Sequence, residues 1–123
     1  MTPYELGKAG EELAVERLRQ EGMQVLEQRW KEHHLEIDII AFDPQTNELV
    51  FVEVKTRQDG RWGRPEDAID QPKIIRTVRA AHHYLRLHQS SYEARFDIFA
   101  IYLPPSGKAQ VDYIKDAFYA PIG

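Results

Sequence analysis

The 123-residue chain has no cysteine, two methionines and no long apolar run. Without cysteine there is neither a disulfide framework nor a thiolate metal site, which agrees with a reducing compartment. No stretch approaches the roughly 18–20 apolar residues of a membrane span. Met1-Thr2-Pro3-Tyr4-Glu5 also lacks the apolar core of a signal peptide. A cytoplasmic protein with no membrane partner is therefore expected. Positive charge is scarce too, since the formal net charge is −4, which on its own opposes a phosphate backbone. No Ser/His/Asp arrangement, phosphate-cradling glycine loop, internal repeat or linker stands out. With 42% hydrophobic and 29% charged residues, a single domain spanning residues 1–123 around one core is expected.

What is present is unevenly spread. Residues 1–54 hold 5 basic and 12 acidic side chains, residues 55–89 hold 8 and 4, and residues 90–123 hold 3 and 4. The basic middle contains Arg57, Arg61, Arg64, Arg76 and Arg79 as candidate phosphate contacts, with Arg86 beyond them and Trp62 available to stack on a base. A solvated surface accounts for any one of these charges. Their concentration directly after the most unusual part of the chain favours an electropositive approach to it.

That unusual part is the run Leu49-Val50-Phe51-Val52-Glu53-Val54-Lys55. It begins like a strand buried on both faces and then carries a charge at every second position. Ile37 to Phe42 reads as the preceding strand, and Asp43-Pro44-Gln45-Thr46-Asn47-Glu48 as the turn of a hairpin. If the turn is centred between Gln45 and Thr46, partners have residue numbers summing to about 91. Asp38 then faces Glu53, and Glu36 faces Lys55, with paired Cβ atoms roughly 4.5–5.5 Å apart. Two carboxylates at that spacing repel unless a cation lies between them, so a metal ion uses Asp38, Glu53 and Lys55 together. A half-exposed strand also alternates apolar and charged residues, so the pattern alone leaves both readings open.

Two helices are expected around these strands. Thr2-Pro3-Tyr4-Glu5 is a capping box with proline at the first helical position, and Gly22 closes the helix. Leu13, Ala14, Leu18 and Tyr4 form its core stripe, while Gly7, Gly10 and Ala14 make a small-residue track that would let it approach the sheet closely. The second helix runs from about Pro72 to Leu87 behind Asp70 or Gln71 as cap. Its stripe is Ile74, Val78, Ala81 and Leu85, with Thr77, Ala80 and Tyr84 at the margin. Lys73 shares that margin, and Arg76, Arg79, His83 and Arg86 lie on the polar side. Arg95 to Leu103 and Gln110 to Ile114 read as further strands, with Asp97 structural. His33-His34 and His82-His83 are neighbours in sequence that diverge in direction, and are expected at the surface or its margin.

The motifs Gly7-x-x-Gly10-Glu11-x-x-Ala14, Glu36-Ile37-Asp38, Phe51-Val52-Glu53-Val54-Lys55-Thr56-Arg57, Lys73-x-x-Arg76 and Arg95-Phe96-Asp97 resemble the YraN family of small bacterial endonuclease-like proteins. Within them, Asp38 and Glu53-Val54-Lys55 resemble the PD-(D/E)XK nuclease signature. The similarity runs from about Gly7 to Phe118. One departure is Leu35, where the family usually has glycine before the Glu-Ile-Asp element. It touches the approach to the strand and not the ligands.

The resemblance implies a restriction-endonuclease-like α/β core, with a mixed central sheet flanked by helices. The order expected here is α-β-β-α-β-β with room for an extra short strand. The implied activity is Mg²⁺- or Mn²⁺-dependent hydrolysis of phosphodiester bonds in DNA, including structured or branched DNA. Asp38, Glu53 and Lys55 would be catalytic. The ion would be held by Asp38, Glu53, the Val54 carbonyl and Glu11, with Glu36 and Lys73 behind them; Glu11 is chosen over Glu12 on the motif. The alternative of another class is a catalytically idle nucleic-acid-binding module that retains the fold. So little basic surface leaves a homodimer open as the form that grips DNA, and nothing in the sequence decides it.

Overall fold

A computed structural model of the chain describes residues 1–59 and 63–118; Arg61 and Trp62 of the expected nucleic-acid contacts lie outside them. The first helix, α1 (Pro3–Gln20), starts where the Thr2 hydroxyl accepts from the Glu5 N–H at 3.1 Å and the Glu5 carboxylate accepts from the Thr2 N–H at 2.9 Å. It ends at Gly22, whose φ of +89° suits glycine. The Gly22 and Met23 amides turn back to the Arg19 and Leu18 carbonyls, both at 3.0 Å.

Five strands follow, β1 (Gln24–Glu32), β2 (Leu35–Asp43), β3 (Glu48–Arg57), β4 (Glu93–Tyr102) and β5 (Gln110–Phe118), with α2 (Gln71–Leu87) between β3 and β4. They form one sheet in the order β1-β2-β3-β4-β5. Only the β3–β4 pair is parallel, because α2 is the crossover that returns the chain to the same end. The resulting mixed sheet flanked by two helices is consistent with a restriction-endonuclease-like core. The element order is α-β-β-β-α-β-β, so the room left for an extra strand is filled by β1, which is nine residues long and not short.

The β2–β3 hairpin has the expected register, from Asp43↔Glu48 to Ile39↔Val52. Its turn is set by the Asp43 carboxylate, which accepts from the Gln45 N–H at 2.9 Å, and by Asn47 at φ +59°. Alternation along the central strands then sends one set of side chains to each helix. Ile39, Ala41, Val50, Val52, Phe99 and Ile101 pack beneath Ala14, Val15 and Leu18 of α1. Ile40, Leu49, Phe51 and Phe96 pack beneath Val78, Ala80, Ala81 and Tyr84 of α2, joined by Trp30 and Ile37. Each large side chain so buried contributes about 1.5–3 kcal/mol.

Both helix stripes differ in detail from expectation. Tyr4 is 65% exposed and lies outside the α1 core, where Val15 is buried instead. On α2 the buried stripe is rotated toward Thr77, Ala80 and Tyr84, leaving Ile74 and Leu85 half-buried. The small-residue track rests on Gly10 and Ala14. A Cβ at Gly10 would overlap the Thr56 hydroxyl and lie 2.9 Å from Thr56 Cβ, whereas one at Gly7 would meet nothing within 4 Å. Gly10 thus lets α1 cross close over the C-terminal end of β3.

Candidate metal and phosphate site

The C-terminal end of β3, the start of β2 and the first turns of α2 surround a cleft of about 340 Å³. Its walls include Asp38, Glu53, Val54, Lys55, Ile69, Asp70, Lys73 and Arg76. The paired register of the hairpin ends at Ile39↔Val52, one residue short of Asp38 and Glu53. Beyond the Ile39↔Val52 pair the Val54 N–H turns to the Asp38 side chain and donates to Oδ2 at 2.8 Å. This bond holds Asp38 against β3, on the wall of the same cleft as Glu53, whose carboxyl feels its charge.

Glu53 is buried, with its side chain 1% exposed. Lys73 Nζ lies 3.6 Å from Oε2, and the Thr77 hydroxyl lies 2.9 Å from Oε1. Burial is the largest influence on Glu53 and the Asp38 charge the next, and together they push its carboxyl up to about 8 against the opposing pull of Lys73. The Thr77 hydroxyl donates to Glu53 Oε1 and pulls in the same direction as Lys73. Thr77 Oγ also lies 2.9 Å from the Lys73 carbonyl, four residues back on the helix. A hydroxyl has one proton, so Thr77 shares it between the Glu53 carboxyl and the Lys73 carbonyl.

The other expected residues are distributed as follows. Lys55 is exposed on the cleft wall and makes no ion pair among the described residues. Glu11 is not brought to Asp38: it sits on α1, the helix over the other sheet face, where its carboxylate accepts from Arg29 Nε at 2.8 Å. Glu36 stands outside the cleft, 3.9 Å from Lys31 Nζ. It lines an adjoining cavity of about 140 Å³ with His34, Leu35, Lys73, Arg76 and Arg79. Arg57 is half-buried at the end of β3, its carbonyl accepting from the Leu103 N–H at 2.8 Å. Arg64 is turned to its own loop, 3.4 Å from Asp67 and 3.7 Å from Glu66. Among the described residues no group of three or more His, Asp or Glu side chains gathers as a metal cage.

Two carboxylates nevertheless fit a small hard cation. Magnesium is commonly held by one or two carboxylates, with waters and substrate phosphates completing its shell. Here two oxygen donors face one another at an open cleft, and Lys73 at 3.6 Å supplies only part of the positive charge they call for.

Residues 10–101 match the model of a family described as the uncharacterised protein family UPF0102. The chain belongs to this family. A UPF0102 protein of Bacteroides thetaiotaomicron is 47% identical over 96% of this chain and 95% of its own length. One of Bacteroides fragilis is 41% identical over 95% and 94%, and one of Syntrophus aciditrophicus 41% over 95% and 91%. UPF0102 is the YraN family of the sequence resemblance. The UPF0102 match spans α1 from Gly10 through most of β4, and so contains Asp38, Glu53, Lys55 and all of α2.

The residue that sequence reading undervalued in this UPF0102 chain is Thr77. Its signal was present as a hydroxyl at the margin of the α2 stripe, four residues after Lys73. A threonine there can bond back to the preceding turn and still offer its oxygen inward.

Proposed function

We propose that this UPF0102 protein is a metal-dependent nuclease that hydrolyses phosphodiester bonds of DNA, with the cleft between β2, β3 and α2 as its active site. The observation that carries the reading is the facing Asp38 and Glu53 carboxylates, with the Lys55 ammonium on the same cleft wall. A pure binding surface gains nothing from two carboxylates that repel phosphate. Asp38 and Glu53, with the Val54 carbonyl, would hold Mg²⁺ or Mn²⁺. When bound, the ion supplies charge neutralisation at the phosphate and a more acidic water.

The chain's own groups do the rest. Glu53 gives up its proton before it can act as a ligand, and the Thr77 hydroxyl that donates to it steadies the carboxylate. Lys73, half-buried at the mouth of the cleft, offsets the charge left behind. Lys55, exposed on the cleft wall, would set its ammonium against the phosphate oxygens and stabilise their negative charge as it grows. It also orients the attacking water.

The test is incubation of linear, circular, single-stranded and branched DNA, and of RNA, with purified protein and Mn²⁺ or Mg²⁺. Asp38→Ala and Lys55→Ala are each expected to lose on the order of 10²-fold or more in rate. Undiminished cleavage in both variants would remove the assigned site. Tight binding with no cleavage of any substrate would favour the idle binding module instead.

A further inference from the structure

We propose that the polar face of α2 is a backbone track that carries a nucleic acid away from one side of the cleft, through Arg76, Arg79 and Arg86, without reading its bases. The inference deepens the nuclease reading and rests on the cleft being where a phosphodiester sits.

Charge is the first support. α2 contains Lys73, Arg76, Arg79 and Arg86 and no carboxylate, in a chain of net charge −4. Four arginines elsewhere are compensated: Arg17, Arg29, Arg64 and Arg95 each lie 2.8–3.4 Å from an acidic oxygen, whereas exposed Arg19 on α1 has no such partner among the described residues. Arg76, Arg79 and Arg86 are exposed and have no carboxylate within ion-pair distance among the described residues. In a chain with 20 acidic side chains, three neighbouring guanidiniums left without one are available to an external anion.

Spacing is the second. Positions 76, 79, 83 and 86 fall on one helical face, and at 1.5 Å per residue Arg76 and Arg86 are about 15 Å apart along the axis. A duplex strand carries a phosphate every 3.4 Å of axis, so that length matches about four phosphates. The cleft and the adjoining cavity share Lys73 and Arg76, which makes the path continuous; His34 also lines the cavity, and Glu36 is the one acid among the cavity's described lining residues.

Among the described residues, the surroundings of the track offer backbone contact and no exposed aromatic side chain. Trp30 beside the track is 9% exposed and packed edge-on against Tyr84 at 5.4 Å. The exposed aromatics Tyr4 and Tyr92 lie on other elements. Binding through phosphate contacts alone is sequence-tolerant and strongly salt-dependent.

The experiment is fluorescence anisotropy of the full chain with a mixed-sequence DNA duplex across a salt series, without added divalent metal. It compares wild type with the triple variant Arg76→Gln/Arg79→Gln/Arg86→Gln and with a charge-matched control, Lys8→Gln/Arg19→Gln/Lys108→Gln. All six positions are exposed; thermal unfolding checks that each variant folds. The α2 variant is expected to bind at least tenfold more weakly at low salt, with the slope of log K against log salt reduced by about 0.9 per arginine, and the control to keep the wild-type slope. Equal losses in both variants, unchanged binding in the α2 variant, or no binding by wild type would each overturn the track. So would displacement of the duplex by poly-glutamate as readily as by unlabelled DNA, which would point to an acidic protein partner. A wild type that binds with the full slope yet cleaves nothing with Mn²⁺ would sink the nuclease reading and leave the track. Cleavage by the α2 variant undiminished at raised salt would do the reverse.

Discussion

The sheet buries two groups of charged side chains, and they are balanced in opposite ways. Toward the N-terminal ends of β3 and β4, Arg95 is 5% exposed and nearly surrounded by acceptors. It donates to Asp97 at 3.0 Å through both Nε and Nη2, and to Asp43 at 2.8 Å, Thr46 at 3.2 Å and Glu48 at 3.4 Å through Nη1. Asp97 is in turn satisfied by the Tyr113 hydroxyl at 2.6 Å and the Asp116 N–H at 2.9 Å. At the other end Glu53 has a like charge for a neighbour and one lysine at 3.6 Å. A buried charge is retained when its bonds are complete, and a buried charge left incomplete is poised for something that completes it. The first group explains why the fold holds; the second explains where a cation would go.

The largest effect should come from breaking the complete group. Asp97→Ala leaves a buried guanidinium short of two bonds and should cost about 3–5 kcal/mol, read as a large fall in the urea midpoint at neutral pH. A loss below about 1 kcal/mol would mean that water enters and replaces the carboxylate.

The two ends should also answer pH with opposite signs. Burial pushes Asp43 up, but the Arg95 hydrogen bond and the Gln45 N–H outweigh it and hold the carboxyl below its ordinary value. Its stabilisation is present above the unfolded carboxylate range and is lost as pH falls through the lowered value. Glu53 is displaced upward, so the folded state binds a proton that the unfolded state has released. Its stabilisation is present below the ordinary carboxylate range and is lost as pH rises toward about 8. Glu53→Gln has no such proton to lose. Its stability relative to wild type should improve across that window by at most about 1.4 kcal/mol per pH unit, while Mn²⁺ affinity measured by calorimetry collapses. A variant that tracks wild type at every pH would show that Glu53 is not held neutral.

The sequence made the hairpin legible because its register, from Asp43↔Glu48 to Ile39↔Val52, follows from turn chemistry and strand alternation alone, and it brings Asp38 and Glu53 to one cleft. β1 was not legible as a nine-residue strand because it is an edge. Only Trp30 in it is buried, its register shifts between Val25 and Glu27, and Arg29 at φ +52° interrupts the alternation. Glu11 was drawn toward the site by a motif on α1, and no local pattern in the sequence could reveal that Arg29 would take its carboxylate. The rotation of the α2 stripe has a similar cause. Thr77 is buried not for its hydrophobicity but because its hydroxyl has partners on both sides.

That double partnership allows the finest distinction between the two ends. Thr77→Ser keeps the hydroxyl and should cost no more than about 1 kcal/mol for the lost methyl, with the pH profile of stability unchanged. Thr77→Val keeps the shape and removes the donor from which Glu53 Oε1 accepts. It should cost about 1–3 kcal/mol above pH 8, where the buried carboxylate is charged and needs that donor, and less at acidic pH, where the carboxyl is neutral. Urea unfolding of the two variants at pH 5 and pH 9 separates the contributions. If Thr77→Val loses the same amount at both, the threonine serves packing and its own helix, and its bond to Glu53 does not depend on the charge that the site holds.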